Sequence, residues 1–305
     1  MVADPLADRA ARVLALTGTP LPNRPREAYT LARHLCWEAI DFLSEQKFNE
    51  RFNPMRQNTT TTGKLWVDER VGRASELQNR LRGNFMARHA KREVMTQLKM
   101  PVFDLIQVEE TKAVKAALAA ERLLDIDPET FAGADADVLG HIAAARRMMG
   151  VAMAPQVADY LDMLIRGAED KLVVFAWHIE VLDILCAKLG KYGIVRVDGR
   201  DSAVAKDRKV RSFIQDPTKH LLLGNVLSLG TGTDGLQDVA NHALLAEADW
   251  VHGNNVQCFD RLDRGGQREQ VQGDIFVAPG SIAEKVLASA LRKAQITHRA
   301  LDRRI

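Results

Sequence analysis

Gln257-Cys258-Phe259-Asp260-Arg261-Leu262-Asp263-Arg264-Gly265-Gly266-Gln267 sets two arginines three residues apart, just ahead of a glycine pair. On a helix that spacing puts Arg261 and Arg264 on one face, where two planar guanidinium forks can meet one target. A triphosphate suits such a pair, because guanidinium is always charged and bidentate toward phosphate oxygens. Gln257 and Asp260 repeat the step on nearly the same face, and Gly265-Gly266 predicts the helix end. The plain alternative is a solvated, salt-bridged helix end.

Upstream of this stretch the pattern is regular from Lys171 onward. Strands are predicted at 172–176, 194–197, 220–223, 243–246 and 274–278, with helical stretches between them. Near-continuous apolar strands alternating with helices mean an α/β fold, a parallel sheet with helices on both faces. Ligands of such sheets sit outside the carboxyl ends of the strands. Polar residues gather there: Trp177-His178, Asp198-Gly199-Arg200-Asp201, Asn225 to Ser228, and Glu247. Taken singly, His178 reads as a helix cap or core partner and Asp198-Gly199 as a turn. Arg200, Lys206, Arg208, Lys209 and Arg211 read either as a solvated helix face or as a phosphate-reading patch.

Toward the N-terminus, residues 13–16 predict a short strand, Thr17-Gly18-Thr19-Pro20 a turn, and Asn23 with Pro25 a helix start. Residues 27–52 predict two helices and 53–63 a polar linker. Residues 75–98 predict one long helix carrying Arg80, Arg82, Arg88, His89, Lys91 and Arg92. A strand at 102–108, a helix at 110–124, a loop at 125–136 and helices at 137–149 and 155–166 follow.

Composition is that of an ordinary globular protein: 305 residues, 46% apolar, net charge +2. Any basic footprint for nucleic acid must therefore be local. Cys36, Cys186 and Cys258 stand far apart with no Cys-x-x-Cys, which argues against a disulfide framework or a zinc site. No metal ligands are expected on this chain. No apolar run reaches about 18 residues and the N-terminus lacks signal-peptide character, so a cytoplasmic or nuclear location is expected, neither secreted nor membrane-bound.

The pattern Gln-x-x-Asp-Arg-x-x-Arg-x-Gly-Gln over 257–267 resembles motif VI of superfamily 2 helicases, most of all the Swi/Snf-type ATPases that translocate on double-stranded DNA. Leu16-Thr17-Gly18-Thr19-Pro20 followed by Asn23-Arg24-Pro25 resembles their motif III. The stretch from Phe85 through Arg88 to Val94 is similar to the segment before their second lobe. The run up to His178, with Val181-Leu182-Asp183, resembles motif IV, and Asp198-Gly199 the next box. Val226-Leu227-Ser228, then Gly235-Leu236, then Trp250 resembles motif V. The likeness covers nearly the whole chain and lies nearest the annealing-helicase branch. Departures fall at Asp234, Val251-His252, Asp263 and Gly265.

The resemblance implies a RecA-like C-terminal helicase lobe over 166–292, a mainly helical inter-lobe region over 31–165, the end of a first lobe over 1–30, and a basic tail over 293–305. It implies Arg261 and Arg264 as arginine fingers on the γ-phosphate. It implies nucleotide contacts at Gly235, Leu236, Gln257, Asp260 and Gln267, and coupling through Thr17, Gly18, Thr19 and Pro20. It implies DNA contacts at His178, Asp198, Gly199, Arg200, Ser228, Trp250 and Arg88. The nucleotide would be ATP with Mg²⁺. These 305 residues hold no Gly-x-x-x-x-Gly-Lys-Ser/Thr, and Asp68-Glu69 lies on the wrong side of motif III for the metal-binding box. The phosphate loop and Mg²⁺ ligands are thus expected on a first lobe that this chain lacks or that another polypeptide supplies, leaving the chain inactive as an ATPase by itself. The reading is the C-terminal half of an ATP-dependent translocase or helicase of DNA repair or remodelling, acting on double-stranded or forked DNA without sequence preference.

Two alternatives stand beside it. One is a non-catalytic DNA-binding fragment. The other is a Rossmann-type enzyme using NAD or S-adenosylmethionine, suggested by Gly230-Thr231-Gly232-Thr233-Asp234-Gly235 after an apolar strand and by Glu247 at the end of the next.

Overall fold

Ser44 marks a helix start by chemistry: its side chain accepts a hydrogen bond from the Lys47 N–H and opens a helix that buries Phe48 and Phe52. The structure, a computed structural model, describes residues 10–60, 63–67, 71–123, 136–167, 171–230 and 232–301. These form two compact units. One holds 10–90 with 251–253 and 290–301, the other 91–250 with 254–289.

The first unit contains α1 (Glu27–Leu35), α2 (Glu45–Phe52), an antiparallel hairpin of β1 (Arg56–Thr60) and β2 (Gly63–Val67), and α3 (Ala74–Asn84). Its core gathers Leu21, Tyr29, Ile40, Phe48, Phe52, Leu77 and Leu81 with Ala300 and Leu301. Tyr29, Phe48 and Phe52 pack as tilted rings at 5.6 and 4.9 Å. Gln78 donates to the Arg299 carbonyl at 2.7 Å and Arg82 to the Leu301 carbonyl at 3.0 Å, so α3 satisfies carbonyls at a helix C-terminus.

Three sequence expectations change here. Residues 13–16 form no strand; Leu14 and Leu16 are exposed, and no described strand pairs with them. The polar linker at 53–63 contains β1 instead. The long helix at 75–98 ends at Asn84, where Gly83 and Asn84 are weak helix formers. The Asp68-Glu69 pair, most of the 125–136 loop and the last four residues of the basic tail lie outside the described residues. The rest of that tail is helical, with Ala294, Thr297, Ala300 and Leu301 buried.

The second unit continues with α4 (Lys91–Val94), β3 (Val102–Gln107), α5 (Lys112–Leu123), α6 (Ala136–Arg166), β4 (Leu172–Ala176), α7 (Ile179–Leu189), β5 (Ile194–Val197), α8 (Ala203–Gln215), β6 (Leu221–Asn225), α9 (Val226–Leu229), β7 (His242–Leu245), α10 (His252–Phe259), β8 (Gln272–Val277) and α11 (Ile282–Leu301). The last two helices carry residues of both units. Six strands form one parallel sheet in the order β3-β8-β7-β4-β6-β5. Its edge strand β3 comes from outside the 166–292 range expected for the lobe.

Strand alternation divides the core. In β4, Leu172, Val174 and Ala176 face one layer, with α5, α6, α7 and the start of α11. Val173 and Phe175 face the other, with α8, α9 and α10. Each fully buried Val, Leu or Phe side chain among them contributes roughly 1.5–3 kcal/mol. Helix α6 runs unbroken through Pro155, where two helices were expected. Met149, Met153, Val157 and Leu161, four apart, are all buried, and this stripe holds the helix across the hydrogen bond that proline cannot make. Lys171 closes the other end of α8, donating to the carbonyls of Phe213, Asp216 and Lys219 at 2.5, 2.8 and 2.8 Å.

From β4 the chain goes to the edge at β5, returns to β6, then crosses to β7 on the far side of β4. That reversal opens a crevice at the carboxyl ends of the strands.

Candidate functional site

Helix α10 ends at Phe259, so Arg261 and Arg264 sit on turns beyond it rather than on the helix face expected from their spacing. The turns bring them together all the same. Arg261 donates through Nε to the Gly230 carbonyl at 3.1 Å and through Nη1 to the Thr233 carbonyl at 2.9 Å. Arg264 donates through Nη1 to the same Thr233 carbonyl at 3.2 Å and through Nε to the Asp260 carbonyl at 3.0 Å. Two guanidinium groups therefore share one acceptor. Arg264 also meets the Asp234 carboxylate at 2.9 Å, whereas Arg261 forms no salt bridge among the described residues. Burial, and next the Arg264 charge, pull the Arg261 pKa down from its ordinary value.

The loop that receives them is shaped by Gly235, at φ 87, a conformation that favours glycine. Leu236 then drops fully into the core. Only a short 3₁₀ turn, Leu236–Asp238, follows. A dinucleotide fingerprint needs a helix N-terminus at that point, so the Rossmann expectation for Gly230 to Gly235 fails on geometry. A cavity of about 550 Å³ opens beside the loop, lined by Lys206, Val210, Arg211, Thr233, Asp234 and Gly235 among others.

The acidic neighbours of the arginines are neutralised from elsewhere. Lys91 donates to Asp260, to the Asp263 carbonyl at 2.8 Å and to the Asp263 carboxylate at 3.2 Å. Gln267 is engaged in holding the turn: its amide nitrogen donates to the Ala240 carbonyl at 2.9 Å, and its oxygen accepts the Arg268 and Glu269 N–H groups. Gln257 is half-buried on α10. Among the described residues no group of three His, Cys, Asp or Glu could hold a metal. The carboxylates nearest the arginines already face Lys91 or Arg264, so this chain's donors do not fit Mg²⁺ there.

A second cluster lies at the ends of β4 and β7. Glu247, 5% exposed, accepts the Trp177 N–H at 3.0 Å, the His178 N–H at 2.8 Å, and contacts the His178 ring at 2.6 Å. Arg146, also buried, stacks on the Trp177 ring at 4.7 Å and donates to the Ala248 carbonyl at 2.5 Å. Burial pulls its pKa down, against the pull of Glu247 and Asp249. Gly150 leaves the room: a Cβ there would stand 2.1 Å from Glu247 Oε1.

A third cluster joins β5 to β6. Asp198 accepts from Arg196 at 3.0 Å and three times from Arg200, from its N–H at 3.0 Å and its guanidinium at 2.9 and 2.6 Å. The Arg200 bonds, against the opposing effect of burial, hold the Asp198 carboxyl far below the usual carboxylate range. Gly199 lies 3.7 Å from Ser228 Oγ by its ideal Cβ, and Lys206 donates to the Ser228 carbonyl at 3.3 Å. On α8, Lys209 pairs with Asp201 and Arg211 with Asp207, while Arg208 is exposed. Trp250 instead packs against the α6 side of the core. Thr17, Gly18, Thr19, Pro20 and Arg88 belong to the other unit. There the Thr19 N–H bonds to Thr17 Oγ1 at 3.1 Å, and the Pro22 carbonyl accepts the Gly253 N–H at 3.0 Å.

The chain is 28% identical over 310 residues to the DNA annealing helicase and endonuclease ZRANB3 of Mus musculus, a match covering 98% of this chain. It is 30% identical over 285 residues, 91% of its length, to the SWI/SNF-related matrix-associated actin-dependent regulator of chromatin subfamily A-like protein 1 of Xenopus tropicalis. The chain is a relative of the Swi/Snf-type, superfamily 2 helicase-like ATPases and matches their C-terminal part. A DNA repair and recombination protein RAD54-like of Drosophila persimilis is 32% identical over 48% of this chain. The chain spans 28% of the ZRANB3 relative and 29% of the Xenopus one. In structure it resembles the C-terminal part of the Fun30 ATPase domain, at TM-score 0.51 and 14% identity, covering 66% of this chain and 98% of that one. That likeness carries the fold, a RecA-like parallel lobe. No family model matches the chain.

Sequence reading passed over three members of these clusters. Lys91 stood among five other basic residues on one stretch, with nothing local to single it out. Arg146 precedes Arg147, and only its four-residue spacing from Gly150 hints at a shared buried face. Thr233 acts through its carbonyl, which no side-chain pattern reveals.

Proposed function

We propose that this chain is the C-terminal half of an ATP-dependent, double-stranded DNA translocase of the Swi/Snf type, and that Arg261 and Arg264 meet the triphosphate of ATP. The observation that carries this is the shared Thr233 carbonyl, which holds two like charges side by side. Carbonyls orient guanidinium without neutralising it, Lys91 occupies Asp260 and Asp263, and of the two arginines only Arg264 has a carboxylate partner among the described residues, the exposed Asp234. The pair therefore keeps a positive field that an anion would relieve.

The chemistry is phosphoryl transfer to water, governed by positioning and electrostatics. A partner RecA-like lobe, on another polypeptide or elsewhere on this one, would carry the phosphate loop, the Mg²⁺ ligands and the water-orienting carboxylate. Arg261 and Arg264 would stabilise the charge that builds on the transferred phosphoryl group. Asp198, Gly199, Arg200, Ser228 and His178 lie at strand carboxyl ends, where they would face the DNA backbone. Contact with phosphates alone gives sequence-independent binding that weakens with salt.

The test is a complementation assay. The chain is mixed with the P-loop lobe of a Swi/Snf-type relative, and DNA-stimulated ATP hydrolysis is measured for wild type, Arg261→Ala and Arg264→Ala. Each substitution is expected to lower the rate by about 10³- to 10⁵-fold. Unchanged turnover in both variants would sink the assignment.

A further inference from the structure

We propose that the Asp234 carboxylate stands in for a phosphoryl oxygen, occupying Arg264 until a polyphosphate displaces it. This rests on reading Arg261 and Arg264 as a triphosphate site. Asp234 Oδ1 lies 2.9 Å from Arg264 Nη1, and Gln237 steadies the same oxygen at 3.3 Å. Among the described residues it is the one carboxylate paired with either arginine, since Asp260 and Asp263 go to Lys91.

The exposures differ sharply. The Asp234 side chain is 79% exposed and that of Arg264 28%. The carboxylate can thus leave into water without a desolvation cost, whereas the guanidinium stays put. Its other anchors, the carbonyls of Thr233 and Asp260, do not depend on Asp234. Arg264 exchanges one anion for another rather than swinging to reach it. The Nη2 groups of both arginines make no hydrogen bond among the described residues, which leaves donors for a second and third oxygen. Asp234 also lines the 550 Å³ cavity, so an arriving ligand has room to push the carboxylate aside. The cations there have partners already: Lys206 on the Ser228 carbonyl and Arg211 on Asp207.

Calorimetric titration of the full chain with inorganic tripolyphosphate, at low salt and fixed pH, tests this. Asp234→Asn is expected to tighten binding about two- to fivefold, the range of an exposed ion pair. The gain should vanish in an Arg264→Ala background and should exceed that of Asp238→Asn, an equal charge change on the same loop. No tightening in Asp234→Asn, or an equal gain without Arg264, would overturn the proposal while Arg261- and Arg264-dependent binding in wild type kept the site. If neither Arg261→Ala nor Arg264→Ala weakened binding in any background, the triphosphate site itself would fall, and the role of Asp234 with it.

Discussion

At the scale of single residues, the carboxyl of Glu121 shows how burial turns into a pH dependence. Its Oε2 accepts the Ile282 N–H at 2.8 Å at the start of α11, and the side chain is buried. Burial raises its pKa above the ordinary 4.5, outweighing the opposing N–H bond. The folded state therefore holds this proton to higher pH than the unfolded chain does. The contribution favours folding below about pH 4.5 and is lost as pH rises through the raised value. Glu121→Gln keeps an acceptor for Ile282 and removes the charge. It is expected to raise the thermal midpoint at pH 7 by a few degrees, with the gain shrinking toward pH 4; a gain that grew on acidification would refute this account. Of the site, the arginine pair was legible in sequence because its chemistry is in the side chains. Its anchoring was not, because Thr233, Gly230 and Asp260 act through carbonyls. Gln267 and Asp198 stand out in the sequence; in the structure Gln267 holds its own turn and Asp198 is saturated by Arg196 and Arg200.

At the scale of elements, packing decided where local signals failed. The strand at 172–176 was legible to the residue, since a fully buried parallel strand is a plain apolar run. The helix through Pro155 was not, because the stripe of Met149, Met153, Val157 and Leu161 outweighs the local break. Pro155→Ala should restore a hydrogen bond and relieve the ring clash, stabilising the chain by about 1–3 kcal/mol in denaturant titration. A loss of stability would mean that the proline shapes a bend which the packing requires. The helix over 257–264 ended early: α10 stops at Phe259, and Phe259 and Leu262 are both buried in the same layer of the core.

For the whole molecule, the proposed function divides the work of ATP turnover between this chain and a partner lobe. The six-stranded lobe carries the arginines on the turns between α10 and β8, and the polar strand-end residues at the carboxyl ends of its strands. The 305-residue sequence holds no Gly-x-x-x-x-Gly-Lys-Ser/Thr motif, and no helix among the described residues is long and apolar enough to cross a membrane. The measurement that tests the division most directly is ATP hydrolysis by the chain alone, with and without double-stranded DNA, beside duplex binding at several salt concentrations. No turnover is expected in either case, together with duplex binding that falls steeply as salt rises. Robust DNA-stimulated turnover by the chain alone would contradict this division, since a phosphate-binding site would then have to lie within these residues.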